Sequence, residues 1–421
     1  MERVFFGEYP KQWEKQILNA TAKHGHTSKT PKLRGIGIGQ VLARTYDIIM
    51  DQRFNKWYIP NREQSAFCSG KGCLLPLFSV FLLLHYALKE NIDLCMGLMD
   101  YEKAFDFSNR AKIVDKLMER GCGRAFTEAI LKMLTSTTYI PSVNNKLCGE
   151  ITTSYGVTQG RNSSPNLYSF YVSDMPRCTD VMPEKDFIDP HSMPQLADDT
   201  AIFSVGLPLL GNKMNCLLEY SDEIYQVPNI PKTVFCQFAE HPHLGHLTVN
   251  NEAILSSVDQ KKGHPYLGVK VIPTNDPDKI VKFNINERFS NWAKFYAWLQ
   301  INEETPIEMK LIVLDSCLFN SILWGIESFG DLRCIEEKLR VSEQKALRAV
   351  LKVKKGTSID LLYNELKRPD IIAAIRNQQH NFFEKVIAFH EDEAVVKSVL
   401  RICRNTEFVA YYHSHLYVTY T

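Results

Sequence analysis

Residues 94–99 (LCMGLM) form a short, almost wholly apolar run that ends abruptly in Asp100. An unbroken apolar segment of strand length predicts a strand buried on both faces, central in a sheet that helices cover on each side. Further along, 196–205 reads as two short strands meeting at Asp198-Asp199. Carboxylates beside buried strands are costly to desolvate unless a cation or hydrogen-bond donors face them. The acidic pair would equally suit a hairpin turn, where aspartate is common. Whatever the chain does, its fold must first account for these acids.

Around the strands, helical and extended patterns alternate. Residues 1–33 are polar with little periodicity and are predicted as loop, including His24-Gly25-His26. From Ile36 to Phe54 apolar residues recur at near-helical spacing (Val41, Tyr46, Ile48, Ile49). The run from Cys73 to Leu84 is interrupted by Pro76 and Ser79 and closed by His85. It is too short for a bilayer, which takes about 20 residues, and is predicted as a buried helix. Ser108 is placed to cap a helix carrying Ile113 and Leu117 and closed by Gly121; a second carries Phe126, Ile130 and Leu134. Residues 138–157 predict strands around Asn144-Asn145, and Ser164-Pro165 opens a helix. Another helix, with Leu210, Met214, Leu217 and Ile224, precedes a turn at Pro228–Pro231, and from residue 280 onward the pattern is largely helical. The class is α+β with a helical tail.

At 421 residues the chain is too long for one ordinary core, so two or three domains are expected. The formal net charge is only +1, so any surface for a polyanion must be local. One such stripe lies between Lys338 and Lys355, where seven basic residues face only Glu343. Lys338, Lys345 and Lys352 recur every seven residues and share one helical face; an ordinary solvated face is the plain alternative. Eleven cysteines without a CxxC pair point to reduced thiols and an intracellular setting, nucleus or cytoplasm. The first residues lack the apolar core of a signal peptide, and no membrane partner is expected. The glycines of Gly35-Ile36-Gly37-Ile38-Gly39 do not have dinucleotide-loop spacing, and His241, His243 and His246 lack cysteine partners for a metal site.

Transfer of a nucleotide to a primer hydroxyl uses two divalent ions about 3.5–4 Å apart, clamping the attacking and leaving oxygens. Magnesium takes oxygen ligands, typically one or two carboxylates with substrate phosphates and water. Acids from two separate strands suit that task, because a sheet holds them rigidly side by side.

The segments fall, in order, onto the motifs of reverse transcriptases. The fragment Leu98-Met99-Asp100-Tyr101-Glu102-Lys103-Ala104-Phe105-Asp106 resembles the first catalytic motif, hydrophobic-Asp-x-x-Lys-Ala-Phe-Asp. The stretch from Gly156 to Pro165 (GVTQGRNSSP) is similar to the Gln-Gly…Ser-Pro motif, and Leu196-Ala197-Asp198-Asp199 to the metal-binding acidic pair. Asn229-Ile230-Pro231-Lys232-Thr233 resembles the next motif, and Tyr266-Leu267-Gly268-Val269 the primer-grip hairpin. Upstream, Lys32-Leu33-Arg34-Gly35 and Glu63-Gln64-Ser65-Ala66-Phe67 resemble fingers motifs. The chain looks most like the polymerase of non-LTR retrotransposons.

That resemblance implies a right-hand polymerase: an N-terminal region and fingers over 1–95, and a palm (antiparallel sheet plus helices) over 96–275. Fingers helices are inserted at about 107–150, and a helical thumb and C-terminal region covers 276–421. It implies two Mg²⁺ (or Mn²⁺) ions held by Asp100 and Asp198, with Asp199 assisting and the carbonyl of Tyr101 as a further ligand. Phe105 falls at the aromatic gate against the ribose 2′-hydroxyl. Arg34 and Lys71 fall where the incoming triphosphate is bound, and Gln159 in the nucleotide pocket. Lys232 is the candidate general acid for pyrophosphate. Tyr266 and Gly268 would support the primer; Lys338, Lys345 and Lys352 would track duplex phosphates. The implied partners are an RNA template, a DNA primer and dNTP. Leu196 stands where an aromatic is usual, and the resemblance shows no flanking endonuclease or RNase H segment, so an inactive or domesticated nucleic-acid-binding copy is the alternative. An RNA-dependent RNA polymerase would show glycine at Ala197 and a second aspartate at Phe105.

Overall fold

The computed structural model describes residues 9–22, 33–135, 137–143, 146–183, 186, 188, 193–250, 253–317, 321–390 and 394–417. Its extended segments are β1 (Lys15–Ala22), β2 (Leu33–Ile38), β3 (Leu94–Met99), β4 (Thr138–Val143), β5 (Lys146–Leu147), β6 (Ile151–Thr152), β7 (Gln195–Leu196), β8 (Asp199–Val205), β9 (Val234–Phe238), β10 (His246–Val249), β11 (Ala253–Ser257), β12 (His264–Tyr266) and β13 (Val269–Val271). After the single turn α1 (Lys11–Glu14), the helices up to β9 are α2 (Val41–Trp57), α3 (Leu74–Glu90), α4 (Ala104–Phe107), α5 (Arg110–Glu119), α6 (Arg124–Thr135), α7 (Ser164–Tyr171) and α8 (Leu207–Glu223). The C-terminal helices are α9 (Pro277–Arg288), α10 (Ser290–Ile301), α11 (Ile307–Cys317), α12 (Glu336–Leu351), α13 (Ile359–Leu366), α14 (Ile371–Ala388), α15 (Val395–Ile402) and α16 (Glu407–Tyr417).

The apolar run before Asp100 is the centre of the main sheet, whose strand order is β10-β11-β9-β3-β8-β7. Every residue of β3 is buried. Both its neighbours run antiparallel to it, while β9 and β11 pair in parallel. Alternate residues feed two cores, as period-2 geometry requires. Leu94, Met96 and Leu98 join α3 and the C-terminal helices, whereas Cys95 and Met99 join residues of α5 to α8. Gly97 faces α8: a β-carbon there would stand 2.7 Å from Met214 Sδ and 3.0 Å from Ile202 Cγ2, so close packing of helix on strand requires glycine. A second sheet, β2-β1-β4-β5 with β6 beside β4, stands apart from it, and β12 and β13 form a separate hairpin.

Several expectations change. Within the segment predicted as loop, residues 15–22 are strand, paired with both β2 and β4, so its backbone groups are satisfied in a sheet although its side chains show no clear pattern; His24-Gly25-His26 lies outside the described residues. Ile36 and Ile38 belong to β2, and the helix begins only at Val41. Alternation of Gly35, Gly37 and Gly39 with isoleucine is a period-2 signal that the wider helical spacing hid. Asn109, not Ser108, caps α5: its side chain accepts from Lys112 N at 3.1 Å, while Ser108 Oγ donates to Ala104 O. Ser164 is the first residue of α7 and Ser163 precedes it. The turn Asn144-Asn145 lies outside the described residues. Helix α3 is buried as predicted, and no helix among the described residues is long and apolar enough to cross a membrane. All eleven cysteines are free thiols.

Candidate active site

Register brings the distant acids together. Met99 pairs with Thr200 across the antiparallel β3–β8 ladder, so the next step outward sets Asp100 beside Asp199. Leu196 pairs with Asp199, leaving Ala197-Asp198 as a two-residue turn between β7 and β8. Ala197 holds φ +58°, the left-handed region that costs an alanine about 1 kcal/mol. Asp100, Asp199, Lys232, His264 and Tyr266 line one cavity of about 260 Å³ at this sheet end. Asp198 sits in the adjoining turn.

Negative charge is crowded here. Burial within the protein, then Asp198 and Asp100, push the Asp199 carboxyl up to about 6 although solvent reaches it. Oδ2 of Asp100 is buried and accepts no hydrogen bond; Lys232 Nζ stands 3.5 Å from it. Burial lowers the His264 imidazole, partly offset by Asp100. These features fit a divalent cation, which would occupy the orphaned oxygen and relieve the repulsion. Among the described residues no three His, Cys, Asp or Glu side chains already converge on one ligating point.

The loop after Pro228 fixes the strand end. Asn229 N donates to Asp100 O at 2.8 Å, Asp100 N donates to Thr233 Oγ1 at 3.2 Å, and Glu102 N donates to Val227 O at 2.8 Å. The Asn-x-x-Lys-Thr segment therefore splints the catalytic strand while presenting Lys232. Tyr101 is buried, its hydroxyl 3.0 Å from Ser221 Oγ, which leaves its backbone for any role at the cavity. Sequence reasoning placed Thr233 in a motif but missed its role as a splint, because its partner, Asp100 N, lies 133 residues away in the chain.

The nucleotide-binding candidates lie outside that cavity's lining. Phe105 is half-buried and stacks on Tyr168, with centroids 4.4 Å and planes 18° apart. Tyr168 is fully buried and its hydroxyl has no hydrogen-bond partner. Gln159 Nε2 donates to Asp106 Oδ1 at 3.3 Å, and its carbonyl accepts from Gly37 N at 2.7 Å, which ties the loop to β2. Arg34 is exposed on β2, and Lys71 Nζ donates to Gln64 O at 3.3 Å.

Tyr266 closes the cavity from the β12–β13 hairpin, buried and with its hydroxyl unpaired. Leu267 (φ +50°) and Gly268 (φ +81°) form the turn, the left-handed pair such two-residue loops prefer. Trp324 Nε1 donates to Leu267 O at 3.0 Å, and Arg288 Nη2 to Gly268 O at 2.8 Å. Trp324 is thus a clamp on the hairpin tip. In the C-terminal region Lys338 lies 4.1 Å over the Phe289 ring and bonds Asn286. Lys345 lines two hollows along α12, of about 590 and 700 Å³; Lys338 shares the first and Lys352 the second. Lys352 sits just past the helix at φ +53° and pairs with Glu303 at 2.7 Å, an exposed contact.

A sheet whose central strand and neighbouring hairpin deliver acids to one open end defines a palm. The chain belongs to the reverse transcriptase (RNA-dependent DNA polymerase) family, whose model matches residues 21–271. This family is generally dependent on divalent metal. The Transposon TX1 uncharacterized 149 kDa protein of Xenopus laevis is 23% identical over 170 residues, 39% of this chain and 13% of that protein, so the chain spans a small part of that relative. Telomerase from Candida albicans, solved with a TWJ fragment of telomeric RNA, matches at TM-score 0.43 and 13% identity, over 98% of this chain and 65% of that one. Apo telomerase from Candida tropicalis matches at 0.41 and 10%, over 98% and 68%. Likeness at that distance has no bearing on activity.

Proposed function

We propose that this chain is an RNA-directed DNA polymerase of the non-LTR retrotransposon type, acting inside the cell. It adds deoxynucleotides from dNTP to the 3′-hydroxyl of a DNA primer on an RNA template. The observation that carries the reading is the β3–β8 register, which sets Asp100 beside Asp199 with Lys232 over both strands' end. Asp100, Asp198, Asp199 and the Tyr101 carbonyl would hold two Mg²⁺ (or Mn²⁺) ions, which supply charge neutralisation at the transferring phosphoryl group. Lys232 hands a proton to departing pyrophosphate, its flexible stem already reaching the Asp100 carboxylate.

Arg34 and Lys71 bind the triphosphate, Gln159 lines the nucleotide pocket, and Phe105, braced by Tyr168, excludes a ribose 2′-hydroxyl. The Tyr266–Gly268 hairpin supports the primer end. Lys338, Lys345 and Lys352 follow the duplex phosphates, which reconciles nucleic-acid binding with a net charge near zero. In this reading the fingers cover 1–95, the palm 96–275 and the thumb region 276–421. The test is primer extension on an RNA template, with Asp198→Asn as control. Extension with dNTP that Asp198→Asn abolishes supports the proposal. Binding of template–primer without extension in Mg²⁺ or Mn²⁺, or a preference for rNTP, overturns it.

A further inference from the structure

The catalytic hairpin does not hold its shape unaided. Its first turn residue, Ala197, sits at φ +58°, where glycine, asparagine or aspartate is usual. Beside it, Gln64 is 1% exposed. Gln64 Oε1 accepts from Ala197 N at 2.9 Å and from Ala66 N at 2.9 Å, while its Nε2 donates toward Ala197 O at 3.4 Å. One buried amide therefore satisfies both the backbone donor and the backbone acceptor of the turn residue Ala197, as a neighbouring strand would. The surrounding backbone repeats the attachment: Ser65 N donates to Gln195 O and Gln195 N to Glu63 O, each at 2.9 Å. These bonds add residues 63–65 as a short parallel strip along β7, the edge strand of the main sheet.

We infer that Gln64 is a positioning residue for the acidic pair: its side chain clamps the strained Ala197 turn so that Asp198 and Asp199 leave it in fixed directions. The inference rests on the polymerase reading for its catalytic consequence, but the clamp itself is a property of the turn. Gln64 touches no reacting atom. The backbone of the same residue makes a second contact, its carbonyl accepting from Lys71 Nζ, a triphosphate-binding candidate. The segment carrying Gln64 thus joins the nucleotide side of the site to the acidic turn.

Gln64→Leu keeps the shape and removes both amide functions. The expected result is faster hydrogen exchange of the Ala197 amide by tenfold or more, and Mn²⁺ binding weakened about tenfold by calorimetry. In primer extension kcat falls at least tenfold while the KM for dNTP moves less than threefold, because misplaced ligands damage the reacting geometry more than nucleotide binding. Ala197→Gly, which accepts positive φ freely, should recover at least half of the lost Mn²⁺ affinity in the Gln64→Leu background and change little alone; a residue needed only for packing would not be rescued from across the turn. If Gln64→Leu does not fold, Gln64→Met, unbranched and of similar length but without either amide function, carries the same exchange and Mn²⁺ measurements. Unchanged Ala197 exchange and Mn²⁺ affinity within twofold of the parent, in a folded variant, overturn the inference. A parent chain that binds Mn²⁺ but extends no primer refutes the polymerase reading and leaves the exchange and Mn²⁺ results to decide on the clamp.

Discussion

Replacing Gly268 by alanine should destabilise the protein by about 2–3 kcal/mol, and most of that should depend on Trp324. At φ +81° an alanine costs about 1 kcal/mol on backbone grounds alone. Its β-carbon would also stand 2.4 Å from Trp324 Nε1 and 2.9 Å from Cδ1, contacts no real side chain makes. The indole is partly exposed, at 37%, so it should swing outward rather than force the backbone apart. In swinging it gives up the Nε1–Leu267 bond, worth about 1 kcal/mol, and some of its packing. Trp324→Ala removes both clashing atoms beforehand, so Gly268→Ala in that background should cost only the backbone share. Urea unfolding of the parent, both single variants and the double variant gives the coupling, expected at about 1–2 kcal/mol. Equal cost in both backgrounds would refute the clamp. In primer extension Gly268→Ala should raise the KM for primer before it touches that for dNTP.

Other perturbations separate the remaining roles. Phe105→Val should raise incorporation of rNTP relative to dNTP at least tenfold in single-nucleotide extension, and Tyr168→Leu, by removing the ring behind Phe105, should do so to a smaller degree. Charge reversal of Lys345, shared by both hollows of α12, should weaken template–primer binding and flatten its dependence on salt concentration, measured by fluorescence anisotropy. Burial against Phe408 pushes His85 down to about 4 from the ordinary 6.5. The unfolded chain therefore takes up this proton first, and the His85 contribution is intact above pH 6.5 and lost as pH falls towards 4, by up to roughly 3 kcal/mol. His85→Phe should remove that part of the acid limb in chemical denaturation between pH 4 and 7.

What could be read from the sequence divides along physical lines. β3 was legible because burial on both faces leaves a run with no alternation, and Asp100 because a charge must interrupt such a run. The hairpin of β7 and β8 was legible from the acids between apolar segments. β1 was not, since its side chains mix polar and apolar types and are mostly exposed while its stability comes from backbone pairing on two sides. Propensity and periodicity carry no record of such pairing. The supports of the site were invisible for a related reason. Thr233 at Asp100 N, Gln64 at Ala197 and Trp324 at Leu267 each act through one bond to a backbone atom far away in the chain. No local pattern encodes a partner more than fifty residues distant.

The same partition bears on how the site moves. Helix α3 packs on Leu94, Met96 and Leu98 of the sheet with one side, while Phe78 on it meets Phe382 and Tyr412 edge-on and Phe408 at a tilt, all from the C-terminal helices. One apolar core therefore runs from the carboxylate-bearing sheet into the C-terminal helices, and Trp324 and Arg288 fasten the hairpin tip to it as well. Separating these helices from the sheet would expose many large apolar side chains at about 25 cal/mol per Å², a cost no single bound nucleotide repays. The small sheet of β1, β2, β4, β5 and β6 is attached more lightly, with Ile17, Ile36, Ile38 and Val143 exposed on it. One backbone tie from it to the 156–165 loop is the Gly37–Gln159 bond, at the nucleotide-pocket candidate itself. Closure around an incoming nucleotide is therefore expected to displace this sheet and leave the C-terminal helices in place, because that is where few contacts have to break.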